Sequence, residues 1–354
     1  MRLEPPSWWY QEPPPLTAHL LRPMAWLYGR LAGLRMQLAE PLRLPVPVIC
    51  AGNFTAGGAG KTPLALYLGK RLIALGRRPG FLSRGYGGSL AGPYQVDEKR
   101  DFAGRTGDEP LLLARQAPTI IARDRRKGAI ALLHLPPSVR PDVIIMDDGM
   151  QNPTIAKDLT IAVVDGQLAI GNGLVMPAGP LRAPLYDQLS QVQAILFLND
   201  GRVWNGAAAQ FTNAFRGTLL HGAIVPASGA EWLSGTRVVA YAGIGRPTKL
   251  FASLEQAGAI IAAALPFPDH HPYTAADAKR LLTLASDYKA VLVTTEKDLA
   301  RIGADDATRE LRRRSRALPV ELVLEPQDAR RLDTLIGTAL GSSMRDARTA
   351  PGLP

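Results

Sequence analysis

Val48 to Pro63 reads VICAGNFTAGGAGKTP. An apolar run gives way to a glycine-rich loop, and the loop ends in Gly60-Lys61-Thr62 just before a segment with helical patterning. This is the layout of a phosphate-binding loop. Its backbone N–H groups point inward at phosphate oxygens, and its glycines allow angles and a close approach that side chains would block. The usual pattern, G-x-x-x-x-G-K-[ST], places a glycine where this chain has Thr55. That departure falls at the loop's entrance, the least crowded end of the cradle. The nucleotide-binding segment is therefore read as Thr55, Ala56, Gly57, Gly58, Ala59, Gly60, Lys61 and Thr62. Lys61 would place its charge on the β and γ phosphates, and the Thr62 hydroxyl would ligate Mg²⁺. Pro63 falls in the first helical turn, where its missing N–H costs little. The competing reading is a tight β-to-α turn with no ligand.

A second segment supports the nucleotide reading. DVIIMDD (142–148) is an apolar strand ending in Asp147 and Asp148, the form of a Walker-B strand whose carboxylates hold Mg²⁺ directly or through water. Further strands are predicted at 46–52, 159–165, 193–199, 236–245, 289–296 and 319–325, with helices at 62–75 and 274–287. Most of the strands are near-continuous apolar runs, as expected for parallel strands covered on both faces. The predicted class is α/β and P-loop NTPase-like: a mostly parallel sheet flanked by helices, a second smaller α/β domain, and an N-terminal amphipathic helix. The expected divisions are an arm and helix at 1–44, a P-loop core at 45–215, the smaller domain at 216–340 and a disordered tail at 341–354.

The net charge of +10 and pI near 9.9 favour anionic partners. With 9 Tyr and 8 Phe in 354 residues and no aromatic-basic run, a membrane face is favoured over nucleic acid, which is not expected as a partner. The lone Cys50 lies in an apolar run, cannot form an internal disulfide, and reads as a small core residue in a reducing compartment. No secretory signal is expected, and with no apolar run of about 18 residues no spanning helix is predicted. The first fifteen residues include Pro5, Pro6, Pro13, Pro14 and Pro15, together with Trp8, Trp9 and Tyr10, which suit a membrane interface. Leu20, Met24, Leu27, Leu31, Leu34 and Leu38 then share one helical face, with Arg22 and Arg30 off the stripe and Arg35 at its edge. This helix fits equally a surface helix packed on its own domain and one lying on anionic lipid. Pro23 is expected within its first turn or two.

Three more segments carry chemistry. RTGDEPLLLA (105–114) sets Asp108 and Glu109 before an apolar helix, where they could act in catalysis or only cap the helix. FPDHHPYT (267–274) packs Asp269, His270 and His271 between prolines. GNGLVMPAGPLRAPL (171–185) carries Arg182, a candidate for balancing phosphate charge. No N-K-x-D element for guanine is present; TTEKD (294–298) comes nearest and has the wrong order.

Taken together, GNFTAGGAGKTP, LSRGYGG (82–88), GDEPLLLA, IIMDDGMQN (144–152), GNGLVMPAGPLRAPL, AGIGRPTKLF (242–251), FPDHHPYT and TTEKD resemble, in order, the motif series of the tetraacyldisaccharide 4′-kinase family. The resemblance implies an ATP-dependent lipid kinase, peripheral on the cytoplasmic face of the inner membrane. Its substrate would be an acylated disaccharide 1-phosphate, its product lipid IVA of lipid A biosynthesis, and no obligate protein partner is expected. The implied roles are Asp108 as catalytic base, His270 rather than His271 as the histidine paired with it, and Lys61 and Arg182 as balancing charges. Mg²⁺ would be held by Thr62, Glu109, Asp147 and Asp148. Met150 and Asn152 depart from the aromatic and histidine usual beside the family's acidic pair. The competing functional readings are a P-loop ATPase or GTPase switch acting on a protein partner, and a non-catalytic nucleotide-gated membrane scaffold.

Overall fold

The computed structural model describes residues 5–58, 60–198, 213–303 and 306–346; Ala59 of the expected loop lies outside the described residues. Among these residues, nine strands form the larger sheet: β1 (Val48–Gly52), β2 (Pro79–Ser83), β3 (Tyr94–Gln95), β4 (Thr119–Ile121), β5 (Val143–Asp147), β6 (Leu159–Asp165), β7 (Ala194–Leu198), β8 (Thr218–Pro226) and, late in the chain, β13 (Val320–Leu324). Across the sheet they run β13-β8-β7-β6-β1-β5-β2-β4-β3, with antiparallel pairing only at the two edges. Between β8 and β13 lies a smaller parallel sheet, β9 (Arg237–Ala242), β10 (Ile260–Pro266), β11 (Val291–Thr295) and β12 (Ser315–Leu318), in the order β10-β9-β11-β12.

The helices α1 (Leu16–Leu38), α2 (Lys61–Ala74), α3 (Ala103–Thr106), α4 (Asp108–Ala114), α5 (Arg125–Leu133) and α6 (Leu185–Leu189) belong to the first half of the chain. The smaller sheet carries α7 (Pro247–Gln256), α8 (Ala275–Asp287), α9 (Glu296–Arg301) and α10 (Asp306–Arg314), and α11 (Pro326–Asp346) closes the described chain.

β1 sits between β6 and β5, and its side chains alternate between two cores. Ile49 and Ala51 face one core with Leu64, Leu68 and Ile145; Val48 and Cys50 face the other with Phe54, Ile144 and Met146. The strand's period of two accounts for this split. Cys50 is fully buried, and burial pushes its thiol up to about 11, as expected of an inert core residue.

The sheets divide the chain differently from the boundaries expected at 215/216 and 340/341. β8 and β13 pair with each other in the larger sheet, and Leu332, Ile336 and Ala339 of α11 join its core. The smaller sheet is therefore inserted between two strands of the larger one. Residues 341–346, expected in a disordered tail, continue α11, while 347–354 lie outside the described residues.

α1 reverses the usual placement of side chains. Its small residues Ala18, Ala25, Gly29 and Gly33 are buried, while Leu20 (72% exposed), Met24 (62%), Leu27 (56%), Leu31 (60%) and Leu38 (77%) face outward. Close approach is the reason: a Cβ on Gly33 would stand 2.6 Å from Asp187 Oδ2, and one on Gly29 would stand 3.4 Å from Pro184 Cγ. The helix begins at Leu16, so Pro23 is its eighth residue and lies beyond the first two turns expected for it. Trp9 is also placed differently from expectation. It is buried, and its Nε1 donates to Pro177 O at 3.0 Å, so it is committed to its own domain and not to an interface with lipid.

Because α11 completes the larger core, Ile336→Ala should destabilise the protein by about 2–5 kcal/mol, the usual range for emptying a buried isoleucine site. Denaturant unfolding checks this; a change under about 0.5 kcal/mol, typical of an exposed position, would count against the packing of this helix.

Candidate active site

Parallel pairing of β1 with β5 sets Ala51 beside Asp147, so the acidic strand end lies where the glycine loop departs. The loop is templated from within. Asn53 Nδ2 donates to Thr55 O at 2.7 Å and to Gly57 O at 3.3 Å. Gly60 caps α2 in the left-handed region (φ 91°), and a Cβ there would run into Leu198 Cδ1, so only glycine fits. Around Gly57 and Gly58 a Cβ would meet nothing within 4 Å, which leaves that part of the cradle open. Thr55 forms an isolated bridge with Leu181, an extended conformation that any side chain tolerates. This explains why the loop needs no glycine at its entrance.

Four acidic side chains gather near the loop, and three are matched by cations. Asp148 Oδ1 accepts from Arg182 Nη1 at 2.8 Å and lies 3.8 Å from Lys61 Nζ. Against its burial, Lys61 and Arg182 hold the Asp148 carboxyl below its ordinary value. Glu109 Oε1 accepts from Lys297 Nζ at 2.6 Å; despite burial, Lys297 and Lys61 bring its pKa down to about 2. Asp108 Oδ2 accepts from Arg301 Nε at 2.6 Å, and Arg301 Nη2 also contacts that oxygen.

Asp147 is the exception. Both of its carboxyl oxygens are buried without a hydrogen-bond partner, as is Thr62 Oγ1. Burial, with Glu109 and Asp148 nearby, raises its pKa to about 8. Buried carboxylates are ordinarily paired or coordinate metal. A P-loop hydroxyl and a Walker-B aspartate, both unpartnered, are the protein donors that Mg²⁺ takes in such sites, with phosphates and water completing the shell. The residues present thus fit Mg²⁺. The geometry leaves Thr62 and Asp147 open for it and couples Glu109 and Asp148 to cations. Among the described residues, no group of three His, Cys, Asp or Glu side chains forms a metal cage by itself.

Arg182 spans two of these parts. Its Nε donates to Thr55 O at 3.0 Å while its Nη1 holds Asp148, so it braces the loop entrance against the end of β5. Lys61 is 7% exposed, and burial lowers its pKa although Asp148 opposes the shift. Asp148 and His270 both take left-handed backbone (φ 54° and 59°), a conformation that costs non-glycine residues about 1–3 kcal/mol and clusters at functional sites.

The two histidines of the DHH loop separate cleanly. His270 Nδ1 lies 3.8 Å from Asp108 Oδ2, and its ring meets Tyr86 edge-on at 5.3 Å. His271 instead bonds Asp277 Oδ2 at 2.9 Å and stacks on Phe267, beside the capping box that starts α8. Met150 is fully buried, filling the space that a side chain at Gly52 would need, and Asn152 closes a turn by accepting from Thr154 N and Oγ1. A cleft of about 530 Å³ runs between Thr55–Gly58 and the Ile244–Pro247 and Pro266–Asp269 loops of the smaller sheet, with Tyr10 on its wall.

Lys297 and Arg301 were not among the residues expected at the site. Their spacing of four on a helix start, just after TTE, places both on one face, and that is the signal the sequence carries. It points to a face, not to the partners on α4, nearly two hundred positions earlier.

The family model described as tetraacyldisaccharide-1-P 4′-kinase matches residues 17–337. A tetraacyldisaccharide 4′-kinase of Methylorubrum extorquens is 50% identical over 309 residues, 86% of this chain and 91% of the relative. One of Rhodospirillum centenum is 48% identical over 344 residues, 96% of this chain and 97% of the relative. In fold, the chain is similar to a crystal structure of LpxK from Aquifex aeolicus in complex with ATP. The TM-score is 0.70 at 24% identity, over 92% of this chain and 100% of that one.

Thr62→Val and Asp147→Asn should each raise the Mg²⁺ concentration that half-saturates turnover by at least ~10–100-fold, the range seen when even outer contacts of a metal site are removed. Neither should lower the melting temperature in EDTA, since Thr62→Val removes an unpartnered buried hydroxyl and Asp147→Asn removes the charge of an unpartnered buried carboxylate. Unchanged Mg²⁺ dependence would sink the assignment.

Proposed function

The chain belongs to the tetraacyldisaccharide-1-P 4′-kinase family, and from that premise we propose how its own residues transfer the γ-phosphoryl group of ATP to the 4′-hydroxyl of a tetraacylated disaccharide 1-phosphate, the step that yields lipid IVA. The observation that carries the mechanism is the unpartnered Thr62–Asp147 pair beside a phosphate loop, with Asp108 and Glu109 nearby across the same site.

Phosphoryl transfer asks a protein chiefly for positioning and charge neutralisation. The amides of the Thr55–Thr62 loop receive the phosphates, and Lys61, buried and short of full pairing, turns its charge to the β and γ oxygens. Thr62 and Asp147 would hold Mg²⁺, which when bound would supply charge neutralisation at the phosphates. Arg182 and Asp148 keep the loop entrance and the end of β5 in register, and Lys297 fixes Glu109 at the rim. Asp108 accepts the proton of the sugar hydroxyl, with His270 beside it.

Four acyl chains confine the substrate to a membrane, so the enzyme must come to the surface. No described helix is long and apolar enough to cross one. The outward leucines of α1 instead suit a helix lying in the interface. Each fully inserted leucine contributes roughly 1.5–3 kcal/mol. Each neighbouring basic side chain adds about 1 kcal/mol at an anionic leaflet. Exposed apolar side chains contiguous over a 23-residue helix favour this reading over packing on the same chain. The site of action is then the inner membrane's cytoplasmic face, with the protein bound peripherally.

Asp108→Ala should lower turnover by ~10²–10⁴-fold, the usual contribution of a general base, with little change in ATP affinity. Following label from ATP into lipid measures it, and also tells a kinase from an ATPase switch, which would release free phosphate. Leu20→Ser, Leu27→Ser and Leu31→Ser combined should abolish sedimentation with anionic vesicles while leaving the circular dichroism spectrum intact. Retained vesicle binding would return α1 to a purely structural role.

A further inference from the structure

α9 holds a relay of charge that ends on the proposed base. Asp298 is fully buried and accepts from Gly243 N at 3.0 Å, Tyr273 Oη at 3.0 Å, Thr295 Oγ1 at 2.6 Å and Arg301 Nη1 at 3.1 Å. It secures the Arg301 guanidinium from behind. From there Nε and Nη2 of Arg301 both reach Asp108 Oδ2, and Nη1 also donates to Gly243 O. The side chains of Arg301 and Asp108 are 7% and 3% exposed.

Arg301 also decides the state of His270. Its Nη2 lies 3.3 Å from His270 Nδ1. A guanidinium has donors only, so Nδ1 must accept, and the ring is then neutral with its proton on Nε2. Burial, reinforced by Arg301 and opposed by Asp108, lowers the His270 pKa in the same sense. A neutral ring with an occupied Nδ1, 3.8 Å from Asp108 Oδ2, brings Asp108 neither charge nor a proton. Arg301 is the cation in direct contact with Asp108, while Lys297, paired to Glu109, acts on it from farther off.

We infer that Arg301, anchored by Asp298, is the positioning residue of the catalytic carboxylate: its fork fixes Asp108 Oδ2 and leaves Oδ1 to take the proton of the acceptor hydroxyl. Among the described residues Oδ1 accepts one hydrogen bond, from Glu109 N at 3.0 Å, and so keeps a lone pair for the hydroxyl. In the transfer, the O–H proton passes to Oδ1 as the sugar oxygen bonds to the γ-phosphorus. The bond from that phosphorus to the β–γ bridging oxygen breaks, and its electron pair leaves on ADP. The inference rests on the reading of Asp108 as base. Its rival is that Arg301 is a strut, tying α4 to the smaller sheet with no bearing on proton transfer.

Arg301→Ala should lower kcat by up to the ~10²–10⁴-fold that a general base supplies, with KM for ATP nearly unchanged. Guanidinium ion added to the assay should restore part of that loss in Arg301→Ala and none in Asp108→Ala. Arg301→Lys keeps the charge but loses the fork, so it should lie between wild type and alanine in kcat and serves if the alanine variant does not fold. A strut gives another pattern: melting temperature falls, and guanidinium does not raise kcat. That pattern, or wild-type kcat in Arg301→Gln, would overturn the inference. If Asp108→Ala itself turns over near the wild-type rate, the reading of the base fails first. If Asp108→Ala is impaired while the Arg301 variants are not, only the positioning role is lost.

Discussion

The parallel pairing of β1 with β5 is the constraint on which the rest of the site depends. Ala51 opposite Asp147 fixes the end of the acidic strand beside the start of the glycine loop. One residue of slip would turn Asp147 to the other face of the sheet. Both strands are buried throughout, so the register is held by two hydrophobic cores and not by the polar groups that use it. Gly60, the only residue type that fits between the loop and Leu198, then starts α2 with Lys61 and Thr62 in place.

On this frame the charges are nearly balanced. Asp108 faces Arg301, Glu109 faces Lys297, and Asp148 faces Arg182 and Lys61. Asp147 has no such partner among the described residues. In a buried setting an unpaired carboxylate is costly, and its raised pKa expresses that cost. Among the described residues, each of these acids has a cationic partner except the one beside Thr62. Two of the balancing cations come from α9 of the inserted sheet, so the core domain alone does not assemble the site. Arg246 and Lys249, from the start of α7, add a second tie by binding Asp165 at the end of β6.

α1 and the phosphate loop meet in the 172–189 segment. Its Arg182 braces the phosphate loop, while its Pro184 and Asp187 receive Gly29 and Gly33 of α1. The buried small residues of α1 press its leucines outward, because a larger side chain on the inner face would collide with this segment.

The sequence by itself determined the class of fold and the strand-to-helix layout of the glycine loop. Buried parallel strands must be continuous apolar runs, and a glycine loop before Lys-Thr has few other uses, so β1, β5, β6 and β7 and the loop were legible from local pattern alone. The acids of GDEP and MDD were legible as candidates for the same reason. Other features were settled only by tertiary structure. β2 begins with Pro-Gly, β10 is rich in alanine, and β8 has a glycine and a histidine in its middle, so none carries a strong strand signal, and packing overrides weak propensity. The return of β13 and α11 to the larger sheet depends on pairing across almost a hundred residues, which no local period records. The same holds for the site: periodicity put Lys297 and Arg301 on one face of a helix, but their meeting with Glu109 and Asp108 is a contact between distant segments. The leucine stripe of α1 was visible as a stripe. Its outward direction was decided by the close fit of two glycines against Pro184 and Asp187, a matter of space that arises only once the chain has folded.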